Sequence, residues 1–140
     1  MITRLSLFLC TLAILPVAAA AQTRGPDDPL PPKATWDTLR RVFHDPNTVD
    51  DGSAAETFSD FVVHRLATRW STVRSLASLV ARDSAFGTFV IKHVDATTDT
   101  TELRQVLDRA TQSCPPAAKS LCSALQTAAH HAIAEAAQPN

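Results

Sequence analysis

Residues 99–137 read DTTELRQVLDRATQSCPPAAKSLCSALQTAAHHAIAEAA, and this stretch decides the fold. Leu103, Val106, Leu107 and Ala110 recur at i, i+3, i+4 and i+7, which gathers them on one face of an α-helix. Ala118, Leu121, Leu125, Ala129, Ala132, Ile133 and Ala136 form a second apolar face beyond Pro115-Pro116. Proline removes a backbone donor and restricts the residue before it, so the pair ends the first helix near Ser113 and turns the chain into a second helix over 116–137. Asp99-Thr-Thr-Glu102 supplies a capping-box-like start for the first of the two.

Cys114 continues the Leu103, Leu107, Ala110 face, and Cys122 lies between Leu121 and Leu125 on the inward face of the next helix. Folding one helix back on the other brings the two sulfurs together, and the spacing predicts a Cys114–Cys122 disulfide. Closing so short a loop is worth roughly 2–3 kcal/mol in the chain-entropy model. A zinc knuckle needs closer ligand spacing than Cys114-x7-Cys122-x7-His130 offers, and His130 points away from Cys122 on a helical projection.

Upstream, Trp36, Leu39 and Phe43 predict a helix over 34–44, with Thr35 as N-cap and Asp45-Pro46 as its stop. Ser53-Ala-Ala-Glu56 reads as a capping box opening a long helix over 53–82, whose stripe runs from Phe58 through Val62, Leu66, Trp70 and Val73 to Val80. Asp83-Ser84 caps a further helix over 85–95, with Phe86, Phe89, Val90 and Val94 on one side. No stretch alternates with period two for long. The expected fold is all-α: a small single-domain bundle of four to five antiparallel helices over 34–140, with one intramolecular disulfide.

The first 21 residues read as an export address. Arg4 gives a positive start, Leu5–Val17 is an apolar run too short for a bilayer span, and Ala18–Ala21 supplies the small residues a signal peptidase accepts. Cleavage after Ala21 removes Arg4 and no other charge, and discards Cys10. Residues 22–33, with four prolines, read as an extended, solvated linker. The expected location is the periplasm or the extracellular medium, where a disulfide persists, with no membrane span after cleavage.

Composition excludes several functions. The formal net charge of −1 lacks the basic footprint of a nucleic-acid binder. Three glycines are too few for a P-loop or a dinucleotide-binding turn. There is no Gly-x-Ser-x-Gly elbow and no His-Glu-x-x-His, and of the three glutamates Glu56 and Glu102 are claimed by caps. No cofactor and no metal are expected.

Three side chains break the pattern. Arg65 and Arg69 fall within the apolar stripe of the 53–82 helix, where a charge must be paired, must snorkel, or must face a groove. One account breaks the helix around Ala67–Thr72, where Thr68, Ser71 and Thr72 favour local side-chain bonds. Another pairs each guanidinium with Asp95 or Asp99. The third makes Arg65 and Arg69 forked donors to a bound carboxylate or phosphate. His93 lies on the apolar face of the 85–95 helix, as a hydrogen-bonded core residue or, with Arg65, part of a polar catalytic site. His131 and Glu135 have the i, i+4 spacing of two metal ligands, without a third.

These features point to a small exported helical protein without catalysis, binding another envelope or extracellular protein or a small ligand. The alternatives are a small hydrolase or lyase around His93 and Arg65, and a purely structural envelope component. Convergence of Arg65, Arg69 and His93 on one solvent-reachable cavity favours the enzyme; an exposed apolar patch including Trp36 or Trp70 favours a protein partner.

Overall fold

The computed structural model describes residues 29–138, so the expected leader and residues 22–28 lie outside the described residues. Six α-helices and two short 3₁₀ turns make up the regular structure, with no strand among the described residues. The helices are α1 (Trp36–Phe43), α2 (Gly52–Thr68), α3 (Val73–Arg82), α4 (Ser84–Lys92), α5 (Thr100–Gln112) and α6 (Lys119–Ala136). The class is the expected all-α bundle. The helix number exceeds the expected four to five because the 53–82 segment divides.

That division has a local cause. Arg69 leaves the helical region, with φ −125° and ψ 43°, and Trp70–Thr72 form a 3₁₀ turn before α3 begins. Thr68 and Thr72 donate their hydroxyls to the carbonyls of His64 and Arg69, the side-chain competition that loosens a helix. In an unbroken helix Arg69 and Trp70 would both lie within the apolar stripe. The break leaves Arg69 exposed while Trp70 stays buried, its indole N–H donating to the Ser113 carbonyl at 2.9 Å.

The start of α2 also differs from expectation. Asp51, not Ser53, is the N-cap, and its carboxylate accepts from the Gly52 amide at 2.7 Å. Gly52 takes φ +53°, the left-handed region that L side chains rarely adopt. The acidic cap two residues earlier starts the helix at Gly52, and Ser53 and Glu56 stay exposed. The other caps agree with the sequence: Thr35 accepts from Thr38, Asp83 from Phe86 and Asp99 from Glu102.

α5 and α6 form an antiparallel hairpin across the proline turn. The disulfide joins Cys114 to Cys122, with Cα atoms 6.1 Å apart. One rung further in, the Gln126 side-chain amide donates to the Ala110 carbonyl. Leu103, Val106, Ala110, Leu121, Leu125, Ala129 and Ala132 are buried at this junction, as the periodicity predicts. α3 and α4 form a second hairpin around Asp83, so close that a Cβ on Gly87 would meet a Val80 methyl at 2.7 Å. Phe58, Val62, Val63 and Leu66 of α2 join Leu39, Leu76, Phe86 and Val90 in one continuous core. Leu30 belongs to that core at 5% exposure, so the chain packs before the end of the segment expected to be a solvated linker.

Candidate functional site

The three pattern-breaking side chains part company. Arg65 and Arg69 line one groove of 840 Å³ between α2 and the segment 31–35, while His93 is buried elsewhere and does not line it. Six residues of helix separate Ser59, which meets His93, from Arg65, placing them on different faces of α2.

Arg65 pairs with neither Asp95 nor Asp99, contrary to one of the accounts its sequence position allows. Asp95 is occupied by Ser59 and Thr97, and Asp99 caps α5. Instead one terminal nitrogen of Arg65 donates to the Ala34 carbonyl at 2.9 Å. Its guanidinium carbon lies 5.6 Å from the ring centroids of both Trp36 and Phe61, a cation–π setting. Its Nε is buried without a hydrogen-bond partner. Burial and the neighbouring Arg69 both weaken its hold on its proton, without threatening its charge.

Arg69 is exposed on the same groove, and Lys33 lies on the opposite wall. No carboxylate lies within ion-pair distance of Arg65, Arg69 or Lys33 among the described residues. The α2 wall that carries Arg65 and Arg69 also carries a carboxyl. Asp60 lines the groove, and its carboxyl is raised above the ordinary value by burial and by Glu102, Glu56 and Asp95. His64 lines it too, bonded to Glu102 at 2.7 Å. Phe61, Ala34 and two prolines supply apolar wall. The arrangement is a cleft with cations on both walls, one carboxyl on the α2 wall, and apolar lining from Phe61, Ala34 and the prolines.

His93 does not lie within a helix. α4 ends at Lys92 and His93 is its C-cap, because Asp95 accepts from the Thr97 amide and closes a tight turn. The ring is 1% exposed, packed against Phe58 and Phe89. Its Nδ1 lies 2.9 Å from Ser59 Oγ, which lies 2.6 Å from Asp95 Oδ2. Its Nε2 lies 3.1 Å from Asp50 Oδ1, and neither atom has another hydrogen-bond partner. Burial pushes the imidazole down, Asp50 and Asp95 pull it up, and Lys92 pushes it down; the net direction is down. Sequence reasoning nominated neither Ser59 nor Asp50. The serine is an ordinary small residue in the stripe, and the pairing spans 34 positions.

A Ser–His–Asp connection invites comparison with a hydrolytic triad, but the chemistry differs. Ser59 is 2% exposed and directs its proton to Asp95, not to the imidazole, whereas a nucleophile must reach substrate and surrender its proton to the base.

The remaining candidates are surface features. His130 and His131 are exposed, and His131 lies 3.7 Å from Glu135. No group of three potential metal ligands occurs among the described residues. Trp36 and Trp70 are 2% and 8% exposed, so neither supplies an apolar docking patch. No described helix is long and apolar enough to cross a membrane. No family model, curated protein or solved structure matches the chain.

Proposed function

We propose that this is an exported, non-catalytic binding protein whose Arg65–Arg69 groove takes a carboxylate carried on an apolar body. The observation that carries the reading is the sharing of one groove by Arg65, Arg69 and Lys33, none engaged by a carboxylate of the described residues. A guanidinium presents planar, forked donors that match a carboxylate, and Arg65 is held in place by the Ala34 carbonyl and two aromatic rings. The carboxyl of Asp60 on the α2 wall, with Glu102 close enough to raise it, opposes polyanions, which favours a monoanion over a phosphate ester or nucleic acid. Phe61 and the prolines offer the apolar remainder of the ligand a surface. Export is supported by the Arg4–Ala21 sequence pattern and fits a chain with a disulfide.

The test is titration of the protein with hexanoate and, separately, inorganic phosphate, followed by amide chemical shifts. Hexanoate should move resonances of residues 33–35 and 60–69, with phosphate the weaker ligand. Arg69→Ala should weaken hexanoate binding about tenfold or more, the equivalent of one charged hydrogen bond, while leaving stability within about 0.5 kcal/mol, as for an exposed residue. Shifts scattered over the surface, or equal binding by the variant, would refute the assignment.

A further inference from the structure

The polar chain around His93 contains a proton count that does not close with a neutral ring. Ser59 has one proton, and the 2.6 Å contact to Asp95 takes it. The 2.9 Å contact between Ser59 Oγ and His93 Nδ1 then requires the proton of a neutral imidazole to sit on Nδ1. Nε2 is left with a lone pair facing Asp50 Oδ1 at 3.1 Å, two acceptors confronting each other away from water. A second proton, on Nε2, turns that confrontation into a charge-assisted contact. Asp50 is the point at which the 45–51 loop reaches the core. Its other oxygen accepts from Lys92 Nζ at 2.6 Å, on the exposed side.

We propose that His93 and Asp50 form a proton-gated clasp, which ties the 45–51 loop to the end of α4 when Nε2 carries a proton and loosens it when Nε2 is bare. The charged groups facing the ring are Asp50 from the loop, and Lys92 and Asp95 from the end of α4 and the turn after it; α2 contributes the hydroxyl of Ser59. Because burial outweighs the two carboxylates, the gate operates on the acid side of the ordinary imidazole value of 6.5. The loop it controls carries Val49, the one large hydrophobic side chain exposed among the described residues, at 66%. Acid therefore adds a second tie beside the Lys92–Asp50 pair, and neutral solution leaves the loop on that pair alone.

The test follows the full chain by ¹⁵N NMR and amide hydrogen exchange between pH 5 and pH 7.5. Nε2 should change from the lone-pair to the protonated chemical shift as pH falls. Over the same range, exchange at residues 47–51, corrected for intrinsic rate, should slow about threefold or more, while core amides of α5 serve as the control. Asp50→Asn should give a flat profile with slow exchange at both ends, because the amide can donate to a bare Nε2. His93→Gln, which cannot titrate, should also give a flat profile and serves if Asp50→Asn does not fold. The clasp is overturned if Nε2 stays unprotonated throughout, if loop protection does not follow it, or if either variant keeps the wild-type pH profile.

Discussion

Arg65 and His93 pose the same difficulty, a polar side chain where the sequence pattern asks for an apolar one, and the protein resolves them in opposite ways. Arg65 lies at the edge of the core. It buries its stem, rests its charge against Trp36 and Phe61, and leaves the rest of its environment a groove. His93 is sealed inside, and its environment is built from three residues drawn from α2, the 45–51 loop and the turn after α4. The contrast teaches that a misplaced polar residue marks a surface when its contacts are aromatic and backbone groups, and an internal joint when they are other titratable side chains.

Breaking the internal joint should cost most. His93→Ala removes a fully buried ring packed on Phe58 and Phe89 and takes from Ser59 its Nδ1 partner, so chemical denaturation should report a loss of about 2–4 kcal/mol. A loss below that measured for Arg65→Ala would erase the distinction drawn above. Arg65→Ala should cost less, about 1–2 kcal/mol, through the lost stem packing, the aromatic contacts and the tie to Ala34. Its larger consequence is for hexanoate binding, which Arg65→Lys should not restore, because a point charge lacks the fork.

Much of this fold can be read from residue order alone, and the exceptions have physical causes. The α5–α6 hairpin and its disulfide are legible because their determinants are local: a 3.6-residue period, a proline pair and two cysteines eight positions apart. The caps at Thr35, Asp83 and Asp99 are legible for the same reason. The break at Arg69 is only half legible, since the threonines that loosen the helix are visible but the burial of Trp70 against Ser113 is not. Asp51 outcompeted Ser53 as a cap because Gly52 could enter the left-handed region, which a motif scan does not weigh. The singling out of Arg65, Arg69 and His93 needs only the periodicity. Their division between two places depends on contacts spanning 31 to 43 positions, where pattern has no reach.

A third polar junction lies between α1 and the start of α4, and its expected effect is smaller. Asp83 caps α4, and its Oδ2 accepts from Arg40 at 2.7 Å and from His44 at 2.6 Å. The His44 hydrogen bond, the Phe86 amide and Arg40 hold its carboxyl down at about 2, against an ordinary 3.8. A depressed carboxylate contributes stability that is complete above the unfolded value and is lost as pH falls through the folded one. The contribution of Asp83 should therefore be full above about pH 4 and disappear toward pH 2. Thermal melts should show Asp83→Asn losing less on acidification than the wild type over this window. Parallel losses in the two proteins would place the acid sensitivity elsewhere, with Asp95 the next group to examine.

The corner between α2 and α3 is made by residues 69–72. Trp36 donates its indole N–H to the Thr72 hydroxyl, and Trp70 donates its own to Ser113, beside the bridged cysteine. Both tryptophans of the chain thus hang from a single bend, one tethering the amino-terminal helix and the other the carboxy-terminal hairpin. The ultraviolet emission of the molecule is consequently a built-in gauge of that bend, reading how three distant parts of the chain meet without any attached label.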